Sequence, residues 1–122
     1  MRVIGGTFGG RRLRALDGQA TRPTSERVRE ALFSRLEARY GLDGASVLDV
    51  FAGTGALAIE AMSRGAARAT CIEMEKRALG TLRDNLADLG LQDAVRSASS
   101  PPASRATTSS WWSPRWGTRP TT

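Results

Sequence analysis

A chain of 122 residues with one cysteine and no histidine has no internal disulfide and no Cys/His metal site, and its length bounds it at one small domain. Its net charge of +6 rests on 17 Arg and one Lys and is uneven: residues 1–40 carry +5, residues 41–96 carry −2, and residues 97–122 carry +3. With no leader pattern and no long apolar run, the sequence reads as a cytoplasmic protein whose front suits a polyanion and whose middle does not, with no membrane and no metal expected.

Met1 to Leu16 sets short apolar pieces (Val3-Ile4, then Leu13) between two Gly-Gly pairs, which predicts a small hairpin or extended arm over residues 1–23. That stretch holds five arginines, Arg2, Arg11, Arg12, Arg14 and Arg22, and one Asp. A flexible basic arm of this kind can grip phosphates; the plainer alternative is a disordered basic terminus.

Thr21 to Ser25 opens a helix. Pro23 biases Arg22 away from helix, Thr24 or Ser25 can cap, and Glu26 sits favourably in the first turn. The helix should reach about Arg39, with Val28, Ala31, Leu32, Phe33, Leu36 and Tyr40 as its apolar stripe and Gly41 as its stop.

Val47 to Phe51 reads as a buried strand that contains a carboxylate, Asp49. The turn Ala52-Gly53-Thr54-Gly55 follows, and then a helix over about Ala56 to Arg64 that should bury Leu57, Ile59, Ala61 and Met62. Ala69 to Glu73 is a second strand, again ending on an acid. Lys76 to Leu89 is a third helix with Leu79, Leu82, Leu86 and Leu89 on one stripe, and Val95 should start a third strand. Cys71 falls in an apolar run and reads as core packing. Strands alternating with helices imply an α/β fold with a parallel sheet and right-handed crossovers. From residue 97 the character changes: seven Ser, five Thr, four Pro, three Arg and three Trp, without Leu, Ile, Val or acid, read as a disordered tail.

Strand, glycine turn and helix N-terminus together make a concave site lined with backbone N–H groups. Gly53 to Ala58 fits the dinucleotide pattern G-x-G-x-x-A, and Glu73 lies near the distance of a ribose-binding acid, so NAD is a competitor. Asp49 inside the strand argues against it, as does the helix and arm preceding the first strand. S-adenosyl-L-methionine lacks phosphate, and its charged methionine end suits a carboxylate near the turn.

The blocks 3–6 (Val-Ile-Gly-Gly), 10–13 (Gly-Arg-Arg-Leu), Thr21–Phe33, Leu48–Leu57 and Ile59–Ala66 resemble the RsmD family, the 16S rRNA guanine-N2 methyltransferases of the small ribosomal subunit. The resemblance covers about residues 1–96. It implies a Rossmann-like class I S-adenosylmethionine-dependent methyltransferase fold, incomplete here, as the N-terminal half over 24–96. It implies S-adenosyl-L-methionine as cofactor, with Thr24, Asp49, Phe51, Ala52, Gly53, Thr54 and Gly55 around it and Glu73 on its ribose. It implies 16S rRNA, or an assembling small-subunit particle, as partner of the basic front. The family's catalytic Asn/Asp-Pro-Pro-Tyr/Phe motif, which orients the guanine amine and stacks on the base, is absent, so no catalytic residue is assigned and transfer chemistry is expected to be lost in this chain.

Read one base out of frame, codons for Ala106 to Thr121 can spell an acidic stretch, Val-Val, Gly and then Asp-Pro-Pro-Tyr, in the order the family needs. The expectation is a frameshift near residue 97. Two other function classes stay open: a non-catalytic basic RNA-binding fragment, and an NAD-dependent oxidoreductase.

Overall fold

The leucine stripe of the third helix anchors the fold. The structure, a computed structural model, describes residues 1–16 and 23–101, without the side chains of 23–25. The elements run α1 (Pro23–Arg39), β1 (Ser46–Val50), α2 (Ala56–Ser63), β2 (Arg68–Ile72), α3 (Lys76–Leu89) and β3 (Val95–Ala98). Leu79, Leu82, Leu86 and Leu89 of α3 are all buried, as their three- and four-residue spacing demands. The Glu75 carboxylate caps α3 by accepting from the N–H groups of Arg77 and Ala78, and Gly90 closes it in the left-handed region.

β1, β2 and β3 form a parallel sheet in that order. Val47 pairs with Ala69 and Asp49 with Cys71; Ala69 pairs with Val95. In-register parallel partners share a face, and one core cluster holds Ala69, Cys71 and Val95 against Ala58 and Ile59 of α2 and the four leucines of α3. Two right-handed crossovers that step the same way along a sheet put both helices on that face. Among the described residues no helix packs on the opposite face, which carries Leu48, Val50, Thr70 and Ile72. Cys71 is fully buried, and burial, with the neighbouring Asp49 charge, pushes its thiol up to about 12.

α1 departs from its sequence reading. It begins at Pro23, so Thr24 and Ser25 lie in the first turn and neither is the cap; proline fits the first helical position because that N–H needs no helical partner. Its stripe is largely open to solvent: Val28, Leu32 and Tyr40 are 62%, 42% and 66% exposed, while Phe33 is buried against Leu42, Ala45, Ala61 and Ala66. α1 packs through Phe33 on Ala61 of α2, with Val47 of β1 at the margin of the same cluster. The other buried side chain of α1 among the described residues, Arg29, is charged.

The first 16 residues form a hairpin docked on α2 and the main core. Arg2 bridges Arg12 in antiparallel fashion, and N–H groups of Val3 and Leu13 reach the carbonyls of Arg11 and Met1. Val3 and Leu13 are buried in the main core. Glu60 and Ser63 of α2 supply acceptors for this hairpin: Ile4 and Gly5 donate to the Glu60 carboxylate, both at 2.9 Å, and Phe8 donates to Ser63 Oγ at 2.8 Å. At Gly6 (φ +78°) a Cβ would sit 1.9 Å from the Ser63 carbonyl oxygen, so only glycine permits this approach.

α2 also corrects its expected pattern. Leu57 is 43% exposed, whereas Glu60 is fully buried. β3 runs through Ser97 and Ala98, into the stretch read as tail; the remainder of that stretch, from 102 on, lies outside the described residues.

Candidate functional site

β1 ends at Val50, one residue earlier than its apolar run suggests, because Phe51 takes a left-handed conformation (φ +74°). A bulky residue is strained there. Its ring is 85% exposed, so no packing compensates within the described residues. The backbone then folds back on β2: Phe51 and Ala52 both donate to the Ile72 carbonyl. Gly53 follows at φ +60°, with open space where a Cβ would be. Gly55, at φ +93°, starts α2 without any side-chain cap. A Cβ there would lie 2.3 Å from Leu82, so this glycine is set by helix packing and Gly53 by the turn's open side. The first N–H groups of α2 have no intrahelical partner.

Two carboxylates flank this turn. Glu73, just past β2, accepts from the Gly53 N–H at 2.7 Å and from the Glu75 N–H at 2.9 Å. Asp49 lies on β1 with its Oδ2 buried and without a hydrogen-bond partner. Burial, and then the charge of Glu73, raise the Asp49 carboxyl above its ordinary range. A buried acceptor left without a donor is costly. A ligand bringing a positively charged N–H group would remove that cost, whereas a pyrophosphate would add to it.

Asn85 of α3 ties the turn to the hairpin. Its amide nitrogen donates to the carbonyls of Thr54 and Arg14, at 2.9 and 3.2 Å, and its oxygen accepts from the Arg14 N–H at 2.7 Å. So Ala52, Gly53, Thr54, Gly55, Asp49 and Glu73 come together at the ends of β1 and β2, with Phe51 at the rim. Thr24 sits in the first turn of α1, and its side chain lies outside the described residues.

The arginines of the hairpin are partly spent. Arg14 forms two bonds to the Asp88 carboxylate, 2.9 and 3.1 Å, which hold that carboxyl below its usual range. Arg11 donates to the Asp88 carbonyl, and Arg2 lies 3.6 Å from Glu26. Arg12 is exposed and forms no ion pair among the described residues. Arg22 lies outside the described residues.

The sequence reading missed Glu60. Besides the two hairpin N–H groups it takes the Arg64 guanidinium at 2.8 Å and Arg29 of α1 at 3.4 Å. Arg64 also reaches Glu37 at 2.8 Å, and Arg29 donates to the Arg2 carbonyl. One carboxylate therefore joins α1, α2 and the hairpin. Its only sequence signal was an acid four residues before Arg64. Among the described residues no cluster of side chains could hold a metal ion, and no helix is long and apolar enough to cross a membrane.

A family model described as conserved hypothetical protein 95 matches residues 1–110. The chain is 51% identical over 89 residues to ribosomal RNA small subunit methyltransferase D of Escherichia coli K12, covering 73% of this chain and 44% of that protein. It is 39% identical over 89 residues to the protein of the same name from Haemophilus influenzae, covering 73% and 45%. The solved structure of yhhF from Escherichia coli shares 46% identity at a TM-score of 0.71, over 82% of this chain and 52% of that one. The C-terminal domain of precorrin-6Y C5,15-methyltransferase from Rhodobacter capsulatus, at 24% identity and a TM-score of 0.59 over 82% and 50%, shares the fold alone. The chain spans a little under half the length of the curated relatives it matches.

Proposed function

The chain belongs to the RsmD family, and from that premise we propose that it carries the cofactor half of an rRNA methyltransferase whose substrate is the exocyclic N2 of a guanine in 16S rRNA, met free or within an assembling small-subunit particle in the cytoplasm. The observation that carries the reading is Asp49: a buried carboxylate oxygen without a donor, beside the glycine turn and the N-terminus of α2.

When bound, S-adenosyl-L-methionine supplies a methyl group on a sulfonium. Asp49 would take the ammonium of its methionine end and regain the missing hydrogen bond. The first N–H groups of α2, which have no intrahelical partner, would receive the carboxylate of the same end. Glu73, held in place by the Gly53 N–H, keeps lone pairs for the ribose hydroxyls. Phe51, strained and exposed at the rim, offers an apolar surface to the ligand. Arg12, with Arg2, Arg11, Arg14 and Arg22, would meet RNA phosphates. The described residues hold no polar-Pro-Pro-aromatic motif to orient the guanine amine, so this chain should bind the methyl donor and RNA without transferring methyl.

Calorimetric titration with S-adenosyl-L-methionine and with NAD tests the cofactor. Binding of the first alone is expected; binding of NAD alone would overturn the reading in favour of an oxidoreductase. The docked basic hairpin favours a second reading, an RNA-binding fragment with no cofactor. Salt-sensitive RNA binding with no heat on titrating either cofactor would identify it.

A further inference from the structure

Asp88 sits where its own helix does not favour it. It is the penultimate residue of α3, at the negative end of the helix dipole, and Asp84 lies one turn before it. Both carboxylates are exposed. What engages Asp88 is the hairpin. Arg14 donates from Nε to one of its oxygens at 2.9 Å and from Nη2 to the other at 3.1 Å, and Arg11 donates to its carbonyl at 3.3 Å. Two parallel N–H bonds to two oxygens are the fork that a guanidinium also makes with a phosphate. The pair is open to water, with side chains 59% and 42% exposed, so it adds little to stability.

The hairpin does not depend on this pair for its docking. The main chain of Arg14 is held by Asn85, whose Oδ1 accepts the N–H at 2.7 Å and whose Nδ2 donates to the carbonyl at 3.2 Å. Val3 and Leu13 are buried, and Glu60 and Ser63 accept the N–H groups of Ile4, Gly5 and Phe8. Asp88 therefore fixes the side chain of a residue whose backbone is already fixed by others. Arg12 is the contrast within one hairpin: it pairs in the backbone with Arg2, is exposed, and forms no ion pair among the described residues.

We infer that Asp88 is a specificity-determining residue that stands in for an RNA phosphate: it occupies the Arg14 fork, and RNA gains that contact only when one of its own phosphates takes the carboxylate's place. The inference rests on the RNA reading given above. A loosely held phosphate must displace an acceptor already at hydrogen-bond distance, and the displaced carboxylate then lies beside it as a like charge. Unselected single strands gain nothing from Arg14, whereas an RNA whose fold sets a phosphate against the fork can meet that cost. Building repulsion against the wrong partner is a general route to specificity.

The full chain is titrated into a fluorescent oligouridylate, an unselected single strand, over a series of potassium chloride concentrations, with binding read by anisotropy. Asp88→Asn should bind roughly five- to tenfold more tightly than the parent, and its salt slope should steepen by about 0.7, one added phosphate contact. Asp84→Asn, which removes the same charge one turn away, should gain no more than about twofold. In an Arg14→Gln background Asp88→Asn should gain no more than Asp84→Asn does. The hairpin of Asp88→Asn should resist limited proteolysis as the parent does. Equal gains from Asp84→Asn and Asp88→Asn would reduce the effect to overall charge and overturn the proposal. A loss of affinity in Asp88→Asn, with the hairpin released to protease, would make Asp88 a structural latch and also overturn it. Binding by the parent that Asp88→Asn leaves unchanged overturns this proposal alone. Failure of the parent and every variant to bind would overturn the RNA reading and this proposal with it.

Discussion

Gly53 donates its backbone N–H to a Glu73 carboxylate oxygen at 2.7 Å, so the turn that ends one strand is latched to the residue that ends the next. Glu73→Ala removes the latch and the bond to Glu75 together. A charge-assisted hydrogen bond is worth about 1.5–3 kcal/mol, and calorimetry should register a loss of roughly ten- to hundredfold in affinity for S-adenosyl-L-methionine. Glu73→Gln, which keeps an acceptor, should fall between the two.

Asp49 opposes stability and serves binding. Its folded carboxyl is held above the ordinary value of 3.8, so ionising it costs stability that appears as pH rises past that value. Asp49→Asn should melt higher than the parent at neutral pH, and the difference should shrink toward acid, where both carry a neutral group. Affinity for the methyl donor should drop more than tenfold in the same variant. An Asn variant that melts lower at neutral pH would contradict the assignment.

Glu60 has the opposite sign. Burial by itself would raise its carboxyl, but the N–H groups of Ile4 and Gly5 and the Arg64 guanidinium outweigh that and hold it below its ordinary 4.5. Its contribution is complete above that value and is lost as pH falls through the lower folded one. Glu60→Ala, which leaves Arg29 and Arg64 without their shared partner, should cost about 3–5 kcal/mol in chemical denaturation at pH 7. Glu60→Gln should flatten the acid limb of the stability profile.

Two glycines of the hairpin separate backbone strain from collision. Both have positive φ, but a Cβ at Gly10 meets open space and one at Gly6 meets the Ser63 carbonyl. Gly10→Ala should cost about 1 kcal/mol. Gly6→Ala should cost about 2–3 kcal/mol more, because backbone must move, and should release the hairpin to limited proteolysis.

The parts of this fold legible in the sequence are those where a residue's own chemistry decides its place. The leucines of α3 bury as spaced, the apolar runs around Leu48 and Cys71 become parallel strands, and the glycines mark the turn. α1 shows the limit: spacing reveals that Leu32 and Tyr40 share a face with Phe33, but not what covers that face. Glu60, Ser63 and Asn85 were illegible for a different reason. All three bond main-chain groups of the hairpin or turn, which leave no mark in side-chain pattern, and a glutamate within a helix ordinarily faces water. The docking of the hairpin was illegible on the same account, since backbone N–H groups on buried acceptors hold it along with Val3 and Leu13.

Asn85 spends both ends of one planar amide, on Thr54 in the turn and on Arg14 in the hairpin. An amide cannot tilt toward one partner without leaving the other. A ligand that settles the turn therefore also settles the hairpin, and a polyanion that pulls on the hairpin does work on the turn. Thermodynamic reciprocity then requires each to change the other's affinity by the same factor, so in this chain the methyl donor and the RNA would be read as a pair.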